Sequence, residues 1–202
     1  RGEQPKSGDS QGFAVPLPEG ENDLGNANAE QAIRLYKQLL EKYPLYERND
    51  QVLYQMSRAY EELGKVELAM EVMNRLVKSY PGSRYMDEVQ FRRAEYFFTR
   101  KKYLDSEEAY QSIVTSGPGS TYYELALYKL GWSFYKQEMY EEALTKYFAL
   151  LDHKVRIGYD FEQTEDQGES KRVEDTYRVI SLSFSNMGGP DQVVDYFKRH
   201  GK

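Results

Sequence analysis

Side chains that could do chemistry are few in this chain, and they lack the spacing of a catalytic or metal site. There is no cysteine, and the only two histidines, His153 and His200, lie far apart in sequence. Neither has the second histidine or cysteine at short spacing that a zinc site requires. An EF-hand loop starting at Asp160 needs glycine sixth and glutamate twelfth, where Glu165 and Lys171 stand. We therefore expect neither a metal ion nor a cofactor.

Motifs for phosphate binding and hydrolysis do not occur either. A Walker loop places a glycine five residues before Gly-Lys, but Ala59 precedes Gly64-Lys65 at that distance. The sequence has no Gly-x-Ser-x-Gly elbow, and without cysteine a thiol nucleophile is excluded. Acidic pairs such as Glu61-Glu62 fit a solvated helix face better than acid–base catalysis. The sequence therefore predicts that this chain is not an enzyme in itself.

Composition narrows the classes of partner. The net charge is −6, and Lys and Arg are interleaved with Asp and Glu, so no basic face is visible that would neutralise nucleic-acid phosphates. No apolar run approaches the roughly 20 residues that cross a bilayer. The 19 tyrosines suit both tight helix packing and protein-binding surfaces, because tyrosine combines an apolar ring with a polar tip. We expect a protein or peptide partner, with no nucleic acid and no direct membrane span.

A repeat of 37 residues organises most of the chain. Pro44, Pro81 and Pro118 are 37 residues apart, and each follows an apolar helical pattern that a proline would end. Four further positions keep the same step, two of them small and two mostly aromatic: Ser57, Ala94, Gly131; Tyr60, Phe97, Phe134; Ala69, Ser106, Ala143; and Met73, Tyr110, Tyr147. The pattern indicates a pair of helices in which each small residue lets the other helix approach and an aromatic ring fills the space beside it.

Turn signals separate the two helices of each unit. They are Gly64-Lys65, Lys101-Lys102 and Gln137-Glu138. Within each segment the apolar spacing is helical, as it is for Leu53, Met56, Tyr60 and Leu63. Each unit is therefore expected to be a helix–turn–helix.

This combination resembles the tetratricopeptide-repeat (TPR) family, which carries small residues, aromatics and a proline at these positions. The resemblance implies an all-α fold, a right-handed α-solenoid, over residues 28–202. Its expected parts are a half repeat at 28–44 and repeats at about 50–81, 87–118, 124–155 and 174–200. The repeat at 87–118 departs from the pattern, because Gln90 and Arg93 stand where apolar residues are expected.

The period exceeds the usual TPR period of about 34 residues. The longer unit is similar to that of bacterial envelope TPR proteins of the outer-membrane-assembly lipoprotein and Tol–Pal-associated types. That resemblance implies a periplasmic or envelope-associated location, with the cytoplasm as the alternative. The chain opens on Arg1 rather than Met and shows no signal peptide, so we expect a processed form or a fragment of a longer protein.

Two segments stand outside the repeat. Gly131 and Ser181 are 50 residues apart, 13 more than the repeat period, which places an insertion within 152–170. We expect this insertion to be either a mobile surface loop or a segment whose Tyr159 and Phe161 contact a groove or a partner. Residues 1–27 are rich in Gly, Pro, Asn, Gln and Ser and are expected to form a disordered or extended arm. The array shows no clear caps, so a homodimer through uncapped ends or through the arm is also expected.

The resemblance also implies where a partner binds, because in the TPR fold the first helix of each unit lines a concave groove. Glu95, Lys136 and Asn186 fall among the lining positions. The ten residues expected to carry partner binding are Tyr54, Arg58, Phe91, Arg92, Phe98, Tyr128, Lys129, Trp132, Tyr135 and Arg178. Aromatic residues and Arg are enriched at binding hot spots. The alternative is that tight curvature buries these rings against neighbouring helices.

Three functions are compatible with this sequence. The first is a non-catalytic scaffold or adaptor that binds a protein or peptide through the groove. The second is a self-associating structural module. The third is the recruitment segment of a larger enzyme. Fold alone does not choose among them, because one scaffold hosts many functions.

Overall fold

The computed structural model describes residues 19–162 and 166–200, with side chains from residue 25 onward. The regular secondary structure in those ranges is α-helical. It comprises α1 (Glu19–Lys42), α2 (Asn49–Glu62), α3 (Val66–Ser79), α4 (Met86–Thr99), α5 (Tyr103–Ser116), α6 (Tyr123–Lys136), α7 (Tyr140–Arg156), α8 (Gln167–Met187) and α9 (Pro190–His200). The chain divides into two compact units, Arg1–Val72 and Met73–Lys202, so the boundary falls inside α3.

The turns inside the hairpins show why the repeat keeps its period. Gly64, Lys101 and Glu138 are 37 residues apart, and all have positive φ, at 67°, 59° and 62°. The residue after each donates its backbone N–H to the carbonyl of the aromatic at Tyr60, Phe97 or Phe134, at 2.8, 2.9 and 3.0 Å. This left-handed closure satisfies carbonyls at a helix end. The repeated aromatic thus marks the place where each first helix ends.

A serine hydroxyl accepts a backbone hydrogen bond in two of the turns between hairpins. The backbone N–H of Tyr85 donates to Ser83 Oγ, and that of Tyr122 donates to Ser120 Oγ, both at 3.2 Å. Each serine follows a proline by two residues, and such hydroxyl turns compete well with helix continuation. The first turn, after Pro44, has no serine, and there the buried Asn49 donates from Nδ2 to the carbonyls of Tyr43 and Pro44 instead.

In the first unit, α1 packs on α2. Ala29, Ile33 and Leu40 of α1 and Leu53 and Met56 of α2 are buried. Residues 19–27, which the sequence assigns to the arm, lie in α1.

In the second unit, α4–α5, α6–α7 and α8–α9 form three helical hairpins, and α5 packs on α6 and α7 on α8. The small residues and rings of the repeat fill one core: Ala94, Ala109, Tyr110, Ile113, Ala126, Leu130, Phe134, Ala143, Tyr147 and Val179. A second cluster, Leu144, Phe184 and Tyr196, holds α9 against α7 and α8. Burial of these apolar groups is the main stabilising contribution.

Gln90 and Arg93, the two polar residues that depart from the repeat pattern, are hydrogen-bonded. Gln90 is buried, and its Nε2 donates to Ser112 Oγ of α5 at 3.3 Å. Arg93 donates to Gln90 Oε1 and, through Nε, to Asn74 Oδ1 at 2.8 Å. Burial lowers the pKa of Arg93, against the opposite influence of Glu108 and Asp105. The second full repeat therefore keeps the fold by pairing polar groups where its neighbours use apolar ones.

Candidate protein-interaction surface

The ten predicted binding residues fall into two groups. Tyr54 and Arg58 lie on α2 in the first unit, one helical turn apart, and Arg58 reaches the Tyr54 hydroxyl at 3.5 Å. The other eight belong to the second unit: Phe91, Arg92 and Phe98 on α4; Tyr128, Lys129, Trp132 and Tyr135 on α6; and Arg178 on α8. Helices α4, α6 and α8 are the first helices of the three hairpins in the second unit. We call the surface that they form the A face.

Phe91 lies at the edge of the core. Its ring stacks on Tyr122 with centroids 5.2 Å apart and meets Tyr110 edge-on at 5.8 Å. It is half-buried and packs against the core cluster of the second unit. The position that the resemblance assigns to the groove therefore also packs α4 against α5 and against the turn that leads into α6.

A carboxylate at Glu95 joins α4 to α6. It accepts a hydrogen bond from the Tyr110 hydroxyl and forms an ion pair with Lys129, whose Nζ lies 3.1 Å from Oε1 and 3.2 Å from Oε2. Lys129 also lies over the Phe98 ring at 5.7 Å. The Tyr110 pKa is raised, first by burial and then by the charge of Glu95. Glu95, Lys129 and Phe98, which the resemblance assigns to the groove, are thus held in one network of contacts.

A second carboxylate, Asp175, joins α6 to α8. Its Oδ2 accepts from the Tyr128 hydroxyl at 2.6 Å and from Trp132 Nε1 at 3.2 Å. Its Oδ1 accepts from Arg178 Nε at 2.9 Å. Burial and the hydrogen bond to Asp175 raise the pKa of Tyr128, which keeps its proton at neutral pH. The structure therefore brings three of the predicted residues together around a residue that was not predicted.

Trp132 is held on several sides. Lys136 Nζ lies 5.5 Å from its ring, the Arg178 guanidinium lies 6.0 Å away, and the Tyr135 ring meets it edge-on at 5.5 Å. Asn186 of α8 donates to the Tyr135 hydroxyl at 3.4 Å. Trp132 remains half-buried rather than enclosed, and Lys136 is exposed. The A face thus presents aromatic rings whose orientations are fixed by contacts to neighbouring side chains.

The inserted segment is shorter than the sequence indicates. Helix α7 continues to Arg156 and α8 begins at Gln167, so 152–156 and 167–170 are helical. The connection covers residues 157–166, of which 163–165 lie outside the described residues. Tyr159 packs over Lys154 Nζ at 4.2 Å, and Phe161 meets the Tyr159 ring edge-on at 5.0 Å. Both rings therefore lie on the end of α7.

Lys154 organises the base of this segment. It is 2% exposed, and its Nζ bonds Glu124 of α6 at 2.8 Å and Glu169 of α8 at 2.7 Å. Burial alone would lower the pKa of Lys154, but the two carboxylates outweigh it and raise the pKa. His153 Nε2 lies 3.3 Å from Glu124, and a cavity of about 400 Å³ opens beside these groups. The cluster ties three helices together.

Within 19–162 and 166–200, no three His, Cys, Asp or Glu side chains converge as metal ligands. Over the same ranges, every helix is too short or too polar to span a membrane.

Comparison with known proteins identifies the repeats. A Tetratricopeptide repeat model matches residues 23–90, and a second model of the same description matches residues 125–152. No curated protein sequence matches the chain significantly.

Solved structures share the fold at low sequence identity. The chain is 21% identical to a MamA crystal structure over 91% of its length and 93% of the other chain, with a TM-score of 0.56. It is 17% identical to MamA from Desulfovibrio magneticus RS-1, covering 89% and 92%, with a TM-score of 0.51. TPR-like repeats of a predicted kinesin light chain from Podosopora anserina are 12% identical over 89% and 91%, with a TM-score of 0.54.

These matches confirm the predicted all-α, TPR-like solenoid fold. The repeat matches indicate a protein-interaction scaffold, and such scaffolds are typically non-catalytic.

Proposed function

We propose that the chain is a non-catalytic adaptor that binds an extended peptide segment of a protein partner along the A face of its second unit. The observation that carries this proposal is the fixed row of rings at Phe98, Tyr128, Trp132 and Tyr135, each held in place by a contact to a neighbouring side chain. A pre-organised aromatic surface is the type on which binding hot spots concentrate.

The charges of the A face favour an acidic, aromatic partner. Glu95 and Asp175 are engaged by Lys129 and Arg178, so their charges are neutralised within the face. Lys136 has no ion pair within the part of the chain that the structure describes, and it is exposed beside Trp132. A peptide with apolar or aromatic anchors and a carboxylate near Lys136 would complement this arrangement.

A displayed library of random peptides, selected on the wild-type chain, tests the proposal. Selected sequences should be rich in aromatic and acidic residues. Their affinity should fall about tenfold in Lys136→Glu, which corresponds to about 1.4 kcal/mol. Lys198→Glu is the matched control, because it reverses the charge of an exposed lysine on α9, the second helix of its hairpin.

Two results would contradict the proposal. One is a selection that enriches nothing above an unrelated helical protein. The other is a set of binders that Lys136→Glu and Trp132→Phe leave unchanged, since binding would then occur elsewhere. Because Trp132 is the only tryptophan in the chain, its emission reports directly on whether a peptide reaches this face.

Self-association is a second candidate, and the first unit supplies the observation that favours it. Leu45 is 94% exposed, and Tyr43 and Tyr46 beside it are 63% and 47% exposed. The corresponding positions of later turns carry Gly82 and Gly119 in place of Leu45. Exposed apolar groups of this kind mark interaction surfaces. Light scattering of Leu45→Gly tests it: a dimer that becomes a monomer would support self-association, and a wild-type monomer would exclude it.

The envelope location stays part of the proposal and is supported only by the length of the repeat. Recruitment of substrates to a larger enzyme is the remaining alternative. Detection of the native full-length protein in fractionated cells would decide the location, because a cytoplasmic pool alone contradicts the envelope assignment.

A further inference from the structure

Apolar side chains lie open to solvent on the turn between α1 and α2. Residues 41–48 are all exposed, whereas Asn49 directly after them is buried. Leu45, in the middle of this turn, is the most exposed large hydrophobic side chain among the described residues, and Tyr43 and Tyr46 flank it in sequence. Neighbouring exposed apolar groups of this kind mark a surface that another molecule covers.

Hydrogen bonds hold this turn in one shape. Asn49 Nδ2 donates to the backbone carbonyls of Tyr43 at 2.9 Å and Pro44 at 3.1 Å. The backbone N–H of Tyr46 donates to the Tyr43 carbonyl, and that of Asn49 donates to the Tyr46 carbonyl, both at 3.1 Å. These bonds hold the backbone on both sides of Leu45, so the folded turn itself presents this side chain to solvent.

The equivalent turns of the next two repeats lack these groups. Residues 45–47 read Leu-Tyr-Glu, whereas residues 82–84 read Gly-Ser-Arg and residues 119–121 read Gly-Ser-Thr. The serine hydroxyl closes each later turn, and Asn49 closes the first one. The fold therefore does not require the leucine, the tyrosine or the glutamate at this place, and the departure from the repeat changes the surface.

The turn also carries a carboxylate that matches a cation of the A face. No hydrogen bond or ion pair involves the Glu47 side chain in residues 19–162 and 166–200, and over the same ranges exposed Lys136, 5.5 Å from the Trp132 ring, has no ion pair. Residues 41–48 contain two glutamates, one lysine and one arginine, so their charges balance. The Glu47–Lys136 pair would therefore set the register of a contact between the two surfaces, and apolar groups on both sides would supply its area.

We infer that the A face binds the 43–47 turn of a second copy of this chain, with Leu45 against the Trp132 ring and Glu47 beside Lys136. The inference rests on the proposed function and names the partner of its site. The turn and the A face are different surfaces, and each copy carries both. The contact is therefore heterologous, and assembly continues beyond a dimer into a ring or a filament.

Light scattering over a concentration series tests the inference. The mean mass of the wild type should pass that of two 23.7 kDa chains as the concentration rises. Leu45→Gly removes the anchor and installs the residue of the equivalent turns, and Lys136→Glu brings a like charge to Glu47. Each variant should need about tenfold more protein to assemble. Lys198→Glu, the matched control on α9, should assemble as the wild type does.

A mixture of the two variants gives a sharper result. The Lys136→Glu copy keeps an intact turn, and the Leu45→Gly copy keeps an intact A face, so each pair can form one contact of the wild-type kind. At a concentration where both variants alone are monomeric, the equimolar mixture should contain dimers and nothing larger.

Three results would overturn the inference, and they differ in what they leave standing. If the wild type stays monomeric while library-selected peptides bind the A face, the inference fails and the proposed function stands; if those peptides do not bind either, both fail. If Leu45→Gly is monomeric while Lys136→Glu assembles as the wild type does, the turn binds another surface and only self-association remains. If the wild type assembles but the mixture stays monomeric, the turn and the A face do not meet.

Discussion

The hairpins α4–α5 and α6–α7 are consecutive copies of one repeat, and three of the equivalent positions at which they differ are informative. Ala94, Glu95 and Gly117 of the earlier hairpin correspond to Gly131, Trp132 and Lys154 of the later one. The first exchange lets a ring lie against the helix backbone, the second replaces an internal acceptor by an indole, and the third replaces a helix-ending glycine by a buried cation. The repeat thus maintains the fold, and departures from it supply the distinctive surface.

The largest effect is expected where the ring meets the backbone. In Gly131→Leu the new side chain would overlap Tyr147, whose Cζ lies 2.6 Å from where its first carbon must go. Overpacking of this kind costs about 1–3 kcal/mol, and we expect the upper end because the ring that the new side chain would meet is fully buried. Thermal unfolding followed by circular dichroism measures it. Wild-type stability in this variant would show that Tyr147 does not lie over Gly131.

The next effect concerns the end of α7. Lys154→Met keeps the volume but leaves Glu124 and Glu169 facing each other without their shared cation. Removing one partner of a buried ion pair costs about 3–5 kcal/mol, and we expect about 2 kcal/mol because both carboxylates are more than a quarter exposed. Denaturant unfolding gives the value. Recovery of stability in a variant that also carries Glu124→Gln and Glu169→Gln would confirm that the loss is electrostatic.

A smaller effect on the free energy of unfolding is expected to distinguish Tyr110 from Tyr147. Tyr110→Phe should lower the free energy of unfolding by about 1 kcal/mol, since its hydroxyl bonds Glu95, whereas Tyr147→Phe should lower it by nothing measurable. Measuring both variants in the same denaturant series makes their free energies of unfolding directly comparable. Equal losses at the two positions would show that an internal group or an ordered water satisfies the Tyr147 hydroxyl.

The smallest effect lies in the turns within the hairpins. Lys101 and Glu138 have the left-handed backbone that Gly64 has at the equivalent place. Glycine adopts this conformation without steric cost, so Glu138→Gly should raise the free energy of unfolding by less than about 1 kcal/mol. A melting temperature at or slightly above that of the wild type supports this reading, and a clear decrease would mean that the Glu138 side chain itself stabilises the turn.

The fold could be predicted because the same packing pattern recurs in several repeats of the sequence. The small residues at Ala94 and Gly131 and the aromatics at Phe97 and Phe134 each recur at a fixed distance, so sequence alone placed helices, turns and the shared core. The burial of Ala94, Gly131 and Phe134 and the positive-φ turns follow from that register. Physical constraints that repeat along a chain are visible without a structure.

The networks on the A face could not be predicted in the same way. Asp175 lies beyond the insertion that breaks the register, and nothing in its local sequence shows that it meets Tyr128 and Trp132, more than 40 residues earlier. Lys154 looks like one more charge in an exposed helix end, yet it is buried between two carboxylates. Both contacts depend on how neighbouring hairpins pack, and the sequence of either hairpin alone does not contain that geometry.

Amide chemical shifts, mapped during titration with a library-selected peptide, show whether the A face binds that peptide. We expect the largest shift changes on α4, α6 and α8, with the indole N–H of Trp132 among them, and we expect them to saturate together with the change in Trp132 emission. Changes confined to the turn around Leu45, to residues 157–162 or to α9 would contradict this expectation and would place the binding surface elsewhere on the chain.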